Sequence, residues 1–326
     1  ESVRGLCNHG IGIIFVSHRM NEVRELSDRI TILRDGVVIV DGVPMSEKTD
    51  EEIVSDMLGE KLNTEEKKRK DSNAFESSAE VLSISFDGYD GELTVKEGEI
   101  VGLAGLAGSG RSSVLRTIWG TKPRSDIHLR YLGEEYKPKN PMHALKKKIA
   151  YISEDRSESG LFFGQPIKET VLMAHRNLQR KLLVKNKSED KLLGQIIGEV
   201  QIKVPTHECM PEALSGGNQQ KLLFGRWITD EAKLLLLDEP TRGVDIKTKH
   251  EIYQRVRKMV EANNAGALVV SSELEELVLM CDKVLIIRDG HVEDVLTGDR
   301  ITENNMMAEI TASGKTKQQT EDSKSV

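Results

Sequence analysis

The chain has 326 residues, of which 38% are apolar and 30% are charged, a balance typical of globular domains rather than of disordered chains. Apolar runs such as residues 234–237 and 284–287 are far shorter than the roughly 20 residues that a membrane-spanning helix requires. The net charge of −7 comes from interspersed acidic and basic residues, so no basic surface for nucleic acid is expected.

One segment of the sequence occurs twice. Residues 13–36, IIFVSHRMNEVRELSDRITILRDG, align without a gap with residues 267–290, ALVVSSELEELVLMCDKVLIIRDG, at a constant offset of 254 positions. Each copy is typical of an apolar strand, an acidic amphipathic helix, a second apolar strand and an Arg-Asp-Gly turn. One supersecondary unit is therefore used twice, which indicates an internal repeat.

The offset predicts the domain organisation. If the copies are equal in length, about 150 residues of the first copy would precede residue 1. We therefore predict that residues 1–62 are the C-terminal remnant of a first domain and that residues 80–313 form a second one. Residues 63–79 are dense in charge and serine, which predicts a solvated linker. Residues 314–326 are polar and predict a disordered tail.

Residues 105–113, GLAGSGRSS, lie between a predicted strand and a predicted helix. A glycine-rich turn from strand to helix is the context of a phosphate-binding loop. Gly105, Gly108 and Gly110 allow backbone N–H groups to turn toward a phosphate, and the helix N-terminus adds partial positive charge. The hydroxyl of Ser112 is the expected contact to Mg²⁺.

Arg111 stands where such a loop carries lysine. A guanidinium keeps the positive charge but is planar and wider than an ammonium group, so the geometry around the outer phosphates changes. Binding depends mainly on the backbone and the metal, whereas hydrolysis depends on accurate placement of charge. We expect a nucleotide site that binds well and hydrolyses poorly.

Two further motifs follow along the chain. LLLLDEPTRGVD (234–245) ends an apolar strand in Asp238 and Glu239, which predicts one carboxylate for the metal and one that polarises an attacking water. LSGGNQQK (214–221) opens a helix, and a helix N-terminus preceded by serine and glycine is suited to binding an anion. The order of the three motifs is more specific than any one of them.

These motifs, together with the repeated VSH and VSS strands, resemble the ATP-binding cassette (ABC) family. More narrowly, YISEDR (151–156) and SGGNQQK (215–221) resemble the double-cassette ATP-binding subunits of bacterial monosaccharide importers of the ribose, galactose and xylose type. The similarity extends over about residues 10–313. It implies an α/β fold, a P-loop NTPase cassette with a mostly parallel core sheet, an antiparallel β subdomain and a helical subdomain, preceded by the remnant of a first cassette.

The resemblance also implies roles for individual residues. Glu239 and His18 would be catalytic, and Ser112 and Asp238 would hold Mg²⁺. The residues implied to contact ATP are Gly105, Gly108, Ser109, Gly110, Arg111, Ser112, Ser113, Glu154, Ser215, Gly216, Gly217, Asp245 and Ser272.

In this family two cassettes pack head to tail, so Ser215, Gly216 and Gly217 would complete the ATP site of the first cassette. His18 matches the family's switch histidine, whose counterpart in the second copy is Ser272. Three departures from the family pattern fall in the ATP site of the second cassette: Arg111 for lysine, Ser272 for histidine, and Glu154 where many cassettes have glutamine. The implied arrangement is one competent site and one degenerate site.

The resemblance implies an ATPase subunit of a sugar importer on the cytoplasmic face of the cell membrane. Its implied partners are membrane permease subunits, the first cassette of the same chain and, indirectly, a periplasmic or extracellular sugar-binding protein; nucleic acid is not among them. ATP and Mg²⁺ are the implied cofactors, and this part of the protein alone is expected to be poorly active.

Two alternatives remain open at this point. One is a twin-cassette ATPase acting on ribosomes, although such proteins have a long helical linker and two intact sites. The other is a regulatory module that binds nucleotide without hydrolysing it.

Overall fold

The computed structural model of the protein describes residues 2–17, 20–34, 36–59, 72–179, 186–202, 204, 206–227 and 231–312. The chain divides into two compact units. The first comprises the described parts of Glu1–Lys68 and Asp245–Glu251, and the second those of Arg69–Val244 and Ile252–Val326. The predicted tail at 314–326 and most of the predicted linker lie outside the described residues.

The first unit contains a β-hairpin and short helices. Its elements are α1 (Ser2–Asn8), α2 (Met20–Leu26), β1 (Arg29–Arg34), β2 (Val37–Pro44) and α3 (Asp50–Leu58). The two strands pair antiparallel. Met20, Ile32, Met45 and Ile53 form its small buried cluster.

Residues 11–17 differ from the strand that the sequence predicts. They form no strand, and Ile14 and Val16 are 96% and 92% exposed. Their repeat counterpart, β10 (Gly266–Val270), is buried and pairs with a strand on each side. No strand among the described residues pairs with residues 11–17, and a strand forms only where partners satisfy its backbone groups.

The second unit is built on a six-stranded sheet in the order β12-β11-β5-β10-β9-β8. The strands other than β10 are β5 (Ile100–Ala104), β8 (Ile149–Ile152), β9 (Leu234–Asp238), β11 (Lys283–Arg288) and β12 (His291–Thr297). All neighbours are parallel except the edge pair of β11 and β12. Every residue of β5, β9 and β10 is buried, because packed layers cover both faces of a parallel sheet.

Two further layers complete this unit. A second, antiparallel sheet has the order β4-β3-β6-β7, with β3 (Glu80–Phe86), β4 (Tyr89–Lys96), β6 (Ile127–Tyr131) and β7 (Glu134–Glu135). A helical part comprises α6 (Ile167–Gln179), α7 (Asn186–Val200) and α8 (Gly216–Gly225). The other helices are α4 (Arg111–Trp119), α5 (Pro141–Lys146), α10 (Leu274–Met280) and α11 (Glu303–Ala312). Helix α9 (Ile246–Ala262) begins in the first unit and continues in the second from Ile252.

The predicted fold class is confirmed: an α/β cassette with a mostly parallel core sheet, an antiparallel sheet and a helical part. The helical part has its own core, in which Leu172, Leu193, Ile196 and Leu222 are buried together.

The described end of the predicted linker, residues 72–79, is largely exposed but contains one buried side chain. It begins with a 3₁₀ turn, Ser72–Phe75, and Phe75 is buried. The carbonyl of Phe75 accepts a hydrogen bond from Lys96 Nζ at 3.0 Å. One aromatic side chain in a polar segment is enough to hold this end against the domain, because its burial stabilises by about 1.5–3 kcal/mol.

The two copies of the repeat share a local hydrogen bond as well as their element order. Ser17 Oγ donates to the Glu22 carboxylate at 3.0 Å, and Ser271 Oγ donates to Glu276 at the equivalent positions. In both copies a helix and an antiparallel hairpin follow. The assignment of residues 1–62 to a first cassette stays a prediction.

Candidate functional site

The glycine-rich loop connects β5 to α4 in the second unit. Gly108 and Gly110 have φ of +83° and +95°, values that side chains strongly disfavour. A Cβ at Gly105 would lie 2.4 Å from the carbonyl oxygen of Ile287. The loop therefore takes its shape from glycine at these positions, and it leads directly into the N-terminus of α4.

The loop rests on the turn between β11 and β12, which is the Arg-Asp-Gly of the repeat. Gly290 N–H donates to the carbonyl of Ser109 at 2.6 Å. Arg124 Nη1 in turn donates to the carbonyl of Gly290 at 3.1 Å. Ser109 Oγ is buried and has no partner among the described residues. The repeated turn thus supports the backbone of the phosphate loop.

Asp238 lies at the carboxyl end of β9 and is fully buried. Ser112 Oγ donates to its Oδ1 at 2.7 Å, and the Tyr151 hydroxyl donates to its Oδ2 at 3.0 Å. Arg116 lies 3.9 Å from Oδ2. Burial raises the pKa of Asp238, while the hydrogen bonds from Ser112 and Tyr151 act in the opposite direction. A hydroxyl and a carboxylate at this point form a set of oxygen donors suited to Mg²⁺.

We expect Asp238→Asn to raise the melting temperature at pH 7 while weakening Mg²⁺-dependent ATP binding at least about tenfold. Because the pKa of Asp238 is raised in the folded protein, this carboxyl stabilises the fold when the pH is below 3.8, its ordinary pKa. That stabilisation is lost as the pH rises through the higher pKa of the folded state. Asparagine removes the cost of the buried charge at neutral pH, and each kcal/mol recovered shifts Tm by about 2–4 °C.

Thermal melts between pH 5 and 8, with titrations of a fluorescent ATP analogue and MgCl₂, check this expectation. Asp87→Asn, at an exposed carboxylate paired with His128, is the matched control and should change neither quantity. A lower Tm for Asp238→Asn at pH 7 would contradict the assigned cost of burial.

Glu239 follows Asp238 directly after the carboxyl end of β9. It has φ of +51°, and its N–H donates to the carbonyl of Val270 at 2.9 Å. Ser272 Oγ donates to its Oε2 at 3.1 Å. Burial raises the pKa of Glu239, and the Ser272 hydrogen bonds and the Arg111 charge oppose this shift.

Arg111 is the first residue of α4, and its Nη1 donates to the carbonyl of Ser271 at 2.8 Å. Its guanidinium therefore contacts the backbone at the end of β10. Burial lowers the pKa of Arg111, and the charges of Glu239 and Asp238 oppose this. The structure thus brings Arg111, Ser272, Glu239 and Asp238 together.

Glu154, Ser113 and Asp245, which are also predicted ATP contacts, have partners outside the group just described. Glu154 pairs with Arg242, and Ser113 Oγ accepts a hydrogen bond from Lys122 Nζ at 3.0 Å. Asp245 accepts hydrogen bonds from the Thr248 backbone at 3.0 Å and hydroxyl at 2.8 Å. His18 lies outside the described residues.

Ser215, Gly216 and Gly217 form the N-terminus of α8, with Ser215 as the N-cap. Ser215 Oγ accepts from Asn218 N–H at 3.4 Å, and the carbonyl of Gly216 accepts from Arg156 Nη1 at 2.8 Å. Among the described residues, no hydrogen bond joins these three to the phosphate loop. Their assignment as an anion-binding helix end, separate from the phosphate loop, stays a prediction.

Sequence reasoning missed several polar residues around the site. Tyr151, Arg116, Arg156 and Arg242 each contact a predicted site residue. The segment YISEDR (151–156) contributes to the family resemblance, but it does not indicate that Tyr151 and Arg156 make these contacts. The residues themselves carry no local pattern that indicates their distant partners.

A phosphate loop at the end of a parallel strand, with Ser112 and Asp238 beside it, defines this chain as a P-loop nucleotide-binding protein. The model of the ABC transporter domain family matches residues 90–242. Residues 90–242 are therefore an ABC-type ATPase domain, and cassettes of this family bind ATP.

Similar proteins include the ribose import ATP-binding protein of Bacillus subtilis and the galactose/methyl galactoside import ATP-binding protein of Fusobacterium nucleatum. Each is 34% identical to this chain over 311 residues, which are 94% of the chain and 62% of the relative. The chain thus spans less than two thirds of the length of these relatives.

Solved structures with a similar fold are also ABC cassettes. An ATP-binding cassette of an ABC transporter in its ADP conformation has a TM-score of 0.57 at 17% identity, covering 71% of this chain and 95% of that one. A dimeric cassette bound to ADP and phosphate has a TM-score of 0.56 at 20% identity, covering 66% and 98%. No helix of the described residues is long and apolar enough to cross a membrane.

Proposed function

We propose that this chain is the ATP-binding and ATP-hydrolysing part of a sugar importer of the ribose or galactose type. The observation that carries the proposal is the joint presence of the phosphate loop, the buried Ser112–Asp238 pair and Glu239 in one cassette. The relatives named as sugar import ATP-binding proteins supply the substrate class.

ATP binds with Mg²⁺ at the loop of residues 105–113. The loop N–H groups would hold the phosphates, and Ser112 and Asp238 would hold the metal, which would neutralise developing charge on the phosphates. Glu239 orients the attacking water. Arg111 and Ser272 make hydrolysis at this site slow. The Arg111 guanidinium donates to the Ser271 carbonyl, and the Ser272 hydroxyl donates to Glu239 but is shorter than an imidazole and does not reach as far toward the phosphate.

Ser215–Gly217 serves a different ATP, that of a first cassette in the same protein. In this proposal residues 1–62 end that first cassette, and His18 belongs to its competent site. The exposed apolar side chains of residues 11–17 support this, because the matching residues of β10 are buried and pair with a strand on each side. The first cassette and a membrane permease are the direct partners.

A groove in the second unit is the proposed permease contact. It has a volume of about 480 Å³ and lies beside residues 151–155 and α6, with Trp119, Met173 and Trp227 in its lining. Its aromatic and apolar side chains, with charged residues such as Glu154 and Arg226 beside them, suit a short amphipathic helix of the permease. This attachment would place the chain on the cytoplasmic face of the membrane, with a sugar-binding protein acting through the permease.

Two variants test this division of roles in the complete transporter reconstituted in proteoliposomes. We expect Ser215→Ala to reduce ATP hydrolysis and sugar uptake about ten- to hundredfold, because one donor to the other site's phosphate is lost. Its affinity for ATP at the loop of residues 105–113 should be unchanged, whereas Asp238→Asn should weaken that affinity.

Uptake of radiolabelled ribose, galactose and xylose is measured alongside phosphate release. Hydrolysis that depends on Asp238 but not on Ser215 would overturn the arrangement of sites. Sugar-independent hydrolysis with co-sedimentation on ribosomes would favour the ribosomal alternative. Multiple-turnover hydrolysis by the 326-residue chain alone would contradict a slow site.

A further inference from the structure

Arg156 lies between the N-terminus of α8 and the loop that follows Glu239. Its Nη1 donates to the carbonyl of Gly216 at 2.8 Å. A Cβ at Gly243 would lie 3.1 Å from its Nη2, and one at Gly216 would lie 3.3 Å from its Nη1. The guanidinium thus fits between two glycines, one on each segment.

The residues next to Arg156 are joined to the nucleotide site. Glu154 pairs with Arg242, which lies beside Gly243. Glu154 also lines the same groove as Arg116 and Tyr151, and both of these contact Asp238. The segment from Glu154 to Arg156 therefore has one side chain in the groove beside Asp238 and one at the N-terminus of α8.

The same segment is fixed to α8 at its other end. Asp155 caps a π-helical turn, Arg156–Gly160, by accepting from the N–H groups of Ser157 at 2.8 Å and Glu158 at 3.0 Å. The carbonyl of Gly160 accepts from the buried Arg226, directly after α8. This turn is therefore joined to the C-terminal end of α8 by a hydrogen bond.

We propose that Arg156 is a positioning residue that carries the occupancy of this chain's own nucleotide site to the Ser215–Gly217 turn. A ligand phosphate near Arg111 changes the electrostatic surroundings of Glu154, and Arg156 transmits the resulting shift to the Gly216 carbonyl. This rests on the proposed function only in assigning Ser215–Gly217 to the neighbouring ATP. The slow site would thereby control when the other site is completed.

Hydrogen–deuterium exchange of this chain, with and without the non-hydrolysable analogue AMP-PNP and Mg²⁺, tests the proposal. In the wild type we expect AMP-PNP to slow exchange of the amides in residues 214–221 by about fivefold, because exchange reports local opening. In Arg156→Met this response should be lost, with AMP-PNP affinity within about twofold of wild type.

Two further variants separate positioning from folding. Arg156→Lys should restore part of the response, since an ammonium still donates to the Gly216 carbonyl but does not also reach Gly243. Arg130→Met removes a guanidinium that donates to the carbonyl of Gly133 at an exposed position, and it should respond like the wild type.

The outcomes are distinguishable. A full response in Arg156→Met, or no response in a wild type that binds AMP-PNP, would overturn the role of Arg156 and leave the proposed function standing. Loss of AMP-PNP binding together with the response would make Arg156 part of the binding site instead. A wild type that does not bind AMP-PNP would contradict the proposed function itself.

Discussion

Gly110→Ala is expected to lower the affinity for MgATP about a hundredfold, which corresponds to about 2.7 kcal/mol. Gly110 has φ of +95°, and a Cβ there would lie 2.7 Å from Gly290 Cα and 2.9 Å from Gly290 N. Both are backbone atoms and cannot move aside alone. The loop must separate from the supporting turn, which breaks the 2.6 Å hydrogen bond from Gly290 N–H to Ser109.

Gly108→Ala is the matched control for this prediction. Its φ of +83° imposes a similar backbone strain, but a Cβ there has nothing within 4 Å. The strain alone amounts to about 1–2 kcal/mol. Titration of a fluorescent ATP analogue should therefore find Gly108→Ala much closer to wild type than Gly110→Ala, and equal losses would show that the turn at Gly290 does not support the loop.

Arg111→Lys combined with Ser272→His is expected to increase turnover at this site at least about tenfold, equivalent to about 1.4 kcal/mol of transition-state stabilisation. Lysine releases the contact to the Ser271 carbonyl and places a compact charge in the loop. An imidazole at position 272 replaces the 3.1 Å contact from Ser272 to Glu239 and reaches further toward the phosphate. Each single variant should gain less, because the two groups act on the same transition state.

Single-turnover hydrolysis, with the complete transporter in excess over radiolabelled ATP, measures this gain. The experiment is done in the Ser215→Ala background, so that the neighbouring site contributes little. An unchanged rate in the double variant would show that the slow chemistry has a cause other than Arg111 and Ser272.

Much of the site is predictable because its residues are close in sequence. The glycine spacing of residues 105–110 and the Asp238–Glu239 pair at a strand end follow local rules of backbone conformation and burial. The structure agrees in placing the loop between β5 and α4. Nothing observed tests the assigned contacts to ATP, which stay predictions.

The strand predicted at residues 13–17 shows where local preference is insufficient. The residues are apolar, like those of β10, yet they form no strand because no partner among the described residues pairs with them. Phe75 is the reverse case. Its polar surroundings predict a solvated linker, and a contact made after folding buries it.

The sequence by itself determined the repeat, the phosphate loop and the replacement of lysine and histidine by Arg111 and Ser272. Only the tertiary structure decided that Tyr151 holds Asp238, that Arg124 and Gly290 support the loop, and that Arg156 reaches Gly216. Those partners are 87, 166 and 60 positions apart. Local periodicity encodes conformation and burial, whereas a hydrogen bond between distant residues exists only once the chain has brought both groups together.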